Sequence, residues 1–180
     1  MKFQFNVNLS EQDYVECNIF SLVKSHHGKN QIRTFRVTLA VLFAVLMVIS
    51  LFGGFSTETF ISVIPMIILF VVWEIFLPKF ISWTVKSHIK ALKKSGKMAY
   101  SPESVIEFYE DSFVEITPEH KAELQYCAVE RISIVDNKVM YIHINNISLY
   151  ILPLSCFENK EQYDSFFSFI KTKCSNIDIY

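Results

Sequence analysis

The sequence lacks the short motifs on which most catalytic chemistry depends. Only four of its 180 residues are glycine, and none belongs to a glycine-rich loop that could cradle a phosphate. It also contains no His-x-x-x-His pair and no serine or cysteine in a nucleophile motif. We therefore predict that the protein is not an enzyme, has no catalytic residues and needs no cofactor.

The sequence also lacks a metal-binding pattern. Its four cysteines are too widely spaced to form a Cys-x-x-Cys pair, and we expect reduced thiols that pack as small apolar groups; they are Cys17, Cys127, Cys156 and Cys174. His26 and His27 are adjacent at a predicted helix end, where imidazolium would favour the helix dipole. Capping is favoured over metal binding there, and we predict no metal site.

Two long apolar runs stand close together in the chain. The first, Val37 to Phe55, has 19 residues without a charge and reaches roughly 28 Å as a helix, about one bilayer core. The second, Phe60 to Trp83, carries only Glu74 and Lys79 as charges. We predict a transmembrane helical hairpin over residues 37–83, with spanning segments 37–55 and 60–78 and an external loop at 56–59.

The charges are segregated along the chain, although the formal net charge is only -1. Residues 1–36 hold five basic and three acidic side chains, residues 79–97 hold six lysines and no acid, and residues 98–180 hold thirteen acids and six bases. Basic residues therefore flank both outer ends of the hairpin, while its loop carries only Glu58. The positive-inside rule then predicts a multi-pass plasma-membrane protein with both termini in the cytoplasm.

The basic segment 79–97 is predicted to be an amphipathic juxtamembrane helix, either a continuation of the second spanning helix or a separate one that begins after Pro78. Its lysines would attract anionic lipid headgroups, which is favoured, or simply fix the orientation of the chain; they are Lys79, Lys86, Lys90, Lys93, Lys94 and Lys97. A third possibility is that they dock against the acidic first strands of residues 98–180, where seven acids cluster: Glu103, Glu107, Glu110, Asp111, Glu115, Glu119 and Glu123. The acidity of residues 98–180 argues against nucleic acid and against a lipid-phosphate pocket. It favours a protein partner.

The remaining segments predict an α+β protein. Residues 1–36 form a cytoplasmic arm, with a strand at Phe3–Val7 and a helix over Glu11–His27 that Gly28 ends. In residues 98–180 the apolar positions alternate, which predicts an antiparallel meander of about six strands closed by a C-terminal helix capped at Asn159. A small barrel capped by a helix, like a pleckstrin-homology (PH) domain, is the most economical packing.

In this order of elements the chain resembles the YcxB-like family of small bacterial membrane proteins. The resemblance covers nearly the whole chain, and within the C-terminal domain it rests on four segments: Leu124-Gln125-Tyr126, Glu130-Arg131-Ile132, Val139-Met140-Tyr141-Ile142 and Ile151-Leu152-Pro153. It implies a helix-capped, PH-like β-domain on the cytoplasmic side of the membrane. It implies no catalytic residues that could be assigned here.

Glu74 is the candidate intramembrane site, because a carboxylate inside a membrane helix is costly unless it is neutral, paired or near the interface. One interpretation is a proton site or a partner for a basic group on another subunit. The other is a carboxylate near the headgroups, wetted by local water and close to Lys79. The sequence favours the second interpretation.

Two functions remain open from the sequence. The first is a membrane-anchored protein whose cytoplasmic β-domain binds a protein partner and has no chemistry of its own. The second is a small oligomeric transport or permeation subunit that uses Glu74. Partners are accordingly the lipid bilayer, a protein bound by the β-domain, and further copies of the chain.

Overall fold

A computed structural model describes residues 1–52, 57–96, 100–145 and 148–180. The chain divides into two compact units. One, here called the helical unit, is Asn18–Ser95. The other, here called the β-unit, combines Met1–Cys17 with Gly96–Tyr180. The protein therefore mixes long helices with β-sheets, as the sequence predicts.

The helical unit is built from two long helices. Helix α1 (Glu11–Ile19), of which all but the last two residues belong to the β-unit, leads through a π-helical turn, Phe20–Lys24, to α2 (His26–Leu51), and α3 follows over Thr57–Lys94. Both α2 and α3 contain stretches long and apolar enough to cross a membrane, with a mean hydropathy of 2.1 in each. In the most apolar stretch of α2 none of the residues is buried. In that of α3 only 6% of the residues are buried.

The helix predicted over Glu11–His27 is confirmed as far as Lys24, as an α-helix to Ile19 and a π-helical turn over Phe20–Lys24, but its predicted last three residues are wrong. Ser25 adopts an extended conformation, with φ -61° and ψ 156°, and its hydroxyl accepts a hydrogen bond of 2.9 Å from the amide of Gly28. Ser25 is therefore the N-cap of α2. Gly28 lies within the first turn of α2 instead of ending a helix, and His26 and His27 lie at a helix N-terminus, where imidazolium does not favour the dipole.

The second apolar run also differs from its predicted limits. Helix α3 begins at Thr57, inside the predicted loop 56–59, of which Ser56 lies outside the described residues. It passes through both Pro65 and Pro78 without a break and ends at Lys94. The basic segment is thus a continuation of the second helix, and Lys97 lies outside the described residues.

The β-unit contains two four-stranded sheets. The first has the order β1-β2-β3-β4 and is antiparallel throughout; its strands are β1 (Phe3–Asn8), β2 (Glu103–Phe108), β3 (Ser112–Ile116) and β4 (Lys121–Gln125). The second has the order β7-β6-β5-β8; its strands are β5 (Arg131–Val135), β6 (Val139–His143), β7 (Leu149–Pro153) and β8 (Ile177–Ile179). Helix α4 spans Lys160–Lys173.

One aromatic-rich core joins both sheets to α4. Phe166 is fully buried, and its ring lies 4.7 Å from that of Phe108 and 5.1 Å from that of Phe5. The inner face of the second sheet adds Ile132, Met140 and other aliphatic side chains to the same cluster. Asn159 caps α4 by accepting a 2.8 Å hydrogen bond from the amide of Gln162, which confirms the predicted helix start.

Two features of this unit were missed by the sequence analysis. Strand β1 does not belong to a separate arm, because it pairs with β2 along its whole length, from Phe3 opposite Phe108 to Asn8 opposite Glu103. The chain end forms β8, which pairs in parallel with β5. The single six-stranded meander is therefore wrong, and the strands form two sheets of four.

Candidate functional site

The structure gives Glu74 a partner that the sequence analysis did not consider. Arg36 of α2 approaches Glu74 of α3, with Arg36 Nε 3.0 Å from Glu74 Oε2. The Nε contact is an ion pair without a well-directed hydrogen bond, whereas Arg36 Nη2 donates a 3.0 Å hydrogen bond to the backbone carbonyl of Glu74. The pair thus links the two long helices within one chain.

Pro78 explains why the arginine reaches the backbone as well as the carboxylate. In an α-helix the carbonyl of residue 74 would accept a hydrogen bond from the amide of residue 78, but proline has no amide hydrogen. The Glu74 carbonyl is therefore left without its usual helical donor, and the Arg36 guanidinium supplies one. The Arg36 guanidinium therefore contacts both the backbone carbonyl and the side-chain carboxylate of Glu74.

The pair is partly shielded from solvent. The side chains of Arg36 and Glu74 are 39% and 25% exposed, and Glu74 Oε1 is buried with no hydrogen-bond partner among the described residues. A charged group in such surroundings is stabilised mainly by its counter-ion. Arg36 could have been found from the sequence, because it is the charge that directly precedes the first apolar run.

The lysines of α3 lie on one side of the helix. All five that the structure describes are exposed. At 3.6 residues per turn, Lys79, Lys86, Lys90 and Lys93 fall within an arc of about 60°, and Lys94 borders it. These five residues are called the lysine face. The structure does not bring them near Glu74, apart from Lys79 five residues along the same helix.

The outer side of the first sheet is the second charged surface. Alternate residues of β2, β3 and β4 point away from the core there, and Val114 lies opposite Glu107 on one neighbouring strand and Glu123 on the other. This surface is called the glutamate face; it consists of Glu103, Glu107 and Glu123 around Val105, Val114 and Ile116. An open groove of about 480 Å³ at one end is lined in part by Asn8, Glu103 and Ile116.

The carboxylates of this face are held by neighbouring hydroxyls. Tyr109 donates a 2.8 Å hydrogen bond to Glu107 Oε2, and Ser112 donates one of the same length to Glu123 Oε1. Glu107 is half-buried, and Glu103 and Glu123 are exposed. Lys121 is the one basic side chain that the strands β1–β4 place on this side. The face is therefore negative with an apolar centre.

The second sheet contrasts with the first because its outer side is also buried. Ser133 is fully buried and His143 is 1% exposed, and their side chains lie 3.2 Å apart, Oγ to Nε2. Burial, with a smaller contribution from the charge of Arg131, lowers the pKa of His143 from 6.5 to about 4. The imidazole is therefore neutral near pH 7.

The cysteines follow the expectation in part. Cys17 and Cys174 are buried, and desolvation raises the pKa of the Cys17 thiol to about 12, so it is unreactive. Cys127 is exposed, contrary to the expectation that all four pack as apolar groups. It lies in the 3₁₀ turn Tyr126–Ala128 that follows β4.

Comparison with protein-family models, with curated proteins and with solved structures finds no match to this chain.

Proposed function

We propose that the protein is a multi-pass membrane protein whose α2 and α3 span the bilayer as a hairpin and whose β-unit is a cytoplasmic interaction module without chemistry of its own. One observation carries the membrane part of this proposal: large apolar side chains cover the helical unit and are exposed. Examples are Val41, Ile49, Leu69 and Ile75, each more than half exposed. Such a surface is stable in hydrocarbon and not in water.

The Arg36–Glu74 pair fits a position near the cytoplasmic boundary of the hydrocarbon layer. From Thr57 to Glu74 the helix rises about 26 Å, and a hydrocarbon layer is about 30 Å thick. At that depth a lone carboxylate would be costly, whereas the neighbouring guanidinium neutralises it. We infer that the pair holds the two helices together at this end of the hairpin.

The same pair weakens the case for transport through Glu74. A carboxylate that carries protons or ions must exchange its partners, but Glu74 is already matched by a permanent cation on the neighbouring helix. The permeation hypothesis stays the alternative. A Glu74→Gln variant in proteoliposomes would support it if flux were lost while the hairpin stayed intact.

The interaction role of the β-unit rests on its exposed glutamate face. A packed core and one open sheet face are typical of modules that bind other proteins. As part of the same proposal, we assign the β-unit as a PH-like barrel and the chain as similar to the YcxB-like family. Both termini and the β-unit would lie in the cytoplasm, because basic residues flank the outer ends of the hairpin.

Labelling with a membrane-impermeant maleimide tests this arrangement, because exposed Cys127 is a natural reporter. We expect the full chain to resist carbonate extraction and Cys127 to react only after the cells are permeabilised. In a Cys127→Ser background, a Ser56→Cys variant should react in intact cells. Release by carbonate, or reaction of Cys127 in intact cells, would contradict the proposal.

A further inference from the structure

The lysine face extends too far from the membrane to serve only as a lipid contact, if α3 spans the bilayer as proposed above. With its outer end at Thr57, the helix leaves a 30 Å hydrocarbon layer near Leu77 and a headgroup layer about 5–8 Å deep near Ser82. Lys79 then lies among the headgroups. Lys86 lies about 6 Å beyond them, and Lys94 about 18 Å beyond them.

These distances decide which lysines the lipid surface can hold. Attraction to anionic lipids falls off within a Debye length, about 8 Å at physiological salt. A helix tilt of about 20° shortens the distances by less than a tenth. Lys90, Lys93 and Lys94 therefore lie outside the field of the bilayer and remain on one exposed side of the helix. Such a row of charges is suited to an acidic protein surface.

The charge balance of the chain points to the acidic surface that fits. The helical unit holds nine basic and two acidic residues, and the β-unit holds eight basic and sixteen acidic ones, so their net charges are +7 and -8. The glutamate face is the carboxylate-rich outer side of the first sheet, where Glu103 and Glu123 are exposed, Glu107 is half-buried and the central Val114 is buried. Every copy of the protein thus carries both a basic and an acidic surface.

We propose that the lysine face of one copy docks on the glutamate face of a second copy in the same membrane. The spacing of the charges agrees: Glu107 and Glu123 flank Val114 on adjacent strands and lie about 10 Å apart, two strand separations. Lys86 and Lys93 are also separated by about 10 Å along α3. The contact is head-to-tail, so it joins copies in a row or a closed ring.

Crosslinking of isotopically mixed protein tests the contact directly. Labelled and unlabelled full-length chains are reconstituted together in vesicles and treated with a carbodiimide, which joins a lysine to a carboxylate without a spacer. We expect mixed-isotope crosslinks between Lys86, Lys90 or Lys93 and Glu107 or Glu123. Crosslinks that join only chains of the same isotope, or none at these positions, would overturn the proposal.

A second test reverses the charges of the lysine face and of the glutamate face in separate variants and measures how well two copies capture each other. We expect Lys86→Glu with Lys90→Glu to weaken co-capture of two differently tagged copies about tenfold, and Glu107→Lys with Glu123→Lys to do the same. Co-expression of the two variants should restore it, because each variant keeps one unaltered face that matches the other variant and the two reversed faces are also of opposite charge. Failure to restore it would contradict the contact.

Matched controls separate this contact from general charge effects and from the membrane proposal. Lys138→Glu with Lys160→Glu makes the same change in net charge at exposed sites on the β-unit and should leave co-capture unchanged. All variants should stay in the carbonate-resistant membrane fraction. If the unaltered chain is extracted by carbonate, the membrane proposal itself fails; if only co-capture is insensitive to the reversals, the docking proposal alone fails.

Discussion

The helical unit and the β-unit differ in where their large apolar side chains lie. In the helical unit many large apolar residues are exposed, and the Glu74 carboxylate of α3 is paired with Arg36 of α2. In the β-unit fourteen apolar residues form one buried cluster, and Glu103, Glu119 and Glu123 are among the carboxylates that are exposed. The difference is the one that the proposed arrangement requires, with the helical unit in the bilayer and the β-unit in water.

The largest expected effect is on the β-unit core. Phe166→Ala should lower the free energy of unfolding by about 3–5 kcal/mol, because it empties the centre of the aromatic cluster. Leu69→Ala, on the exposed side of α3, removes apolar atoms without leaving a cavity and should change the stability of the helical unit far less. Hydrogen exchange of the full chain in detergent micelles measures both units at once. Equal losses of stability from Phe166→Ala and Leu69→Ala would contradict the contrast between a buried and an exposed apolar residue.

Acid should weaken the β-unit selectively through His143. The unfolded chain binds a proton near pH 6.5 and the folded chain only near pH 4, so the stabilisation is complete above pH 6.5 and falls as the pH is lowered to 4. The whole loss is about 3 kcal/mol. Hydrogen exchange of β5 and β6 between pH 4 and 7 should show this slope. His143→Gln should flatten it, whereas His120→Gln at an exposed turn should not.

Loss of a charge in the Arg36–Glu74 pair should damage the helical unit more than loss of an exposed charge. Arg36→Met leaves the Glu74 carboxylate and its free carbonyl without a donor, and should cost about 2 kcal/mol in the stability of the hairpin. Arg36→Met with Glu74→Gln should recover part of this loss. Resistance of the hairpin to dissociation and unfolding in sodium dodecyl sulfate measures the effect. Arg33→Met, three residues earlier, is the matched control, and an equal loss there would argue against a specific pair.

A smaller effect is expected at the start of α2. A Cβ on Gly28 would lie 2.5 Å from the carbonyl oxygen of Ser21, and that backbone atom cannot move aside cheaply. Gly28→Ala should therefore destabilise the turn by about 1–2 kcal/mol, in spite of the better helix propensity of alanine. Asn30→Ala, two residues further along the same helix and exposed, should be neutral or stabilising. Circular dichroism during detergent-induced unfolding separates the two outcomes.

The sequence predicted most strands because alternation reports directly which side of a strand is buried. The turn at Asp136-Asn137 shows the same local control, since both residues have positive φ, 51° and 50°, a conformation that aspartate and asparagine tolerate. The start of α4 at Asn159 was also predictable, because a cap needs only residues three positions apart. Strand partners were not predictable in this way, since β1 and β2 are about a hundred residues apart.

The candidate site was likewise predictable only where its features depend on residues of one segment. The sequence alone determined that Glu74 is an unusual charge in an apolar run and that the lysines follow one side of a helix, because both are properties of spacing along one segment. Only the tertiary structure decided that Arg36 binds both the carboxylate and the backbone carbonyl of Glu74, and that β1 joins the C-terminal strands. Each of these is a contact between distant segments, and the free energy of such contacts depends on the packed fold rather than on local pattern.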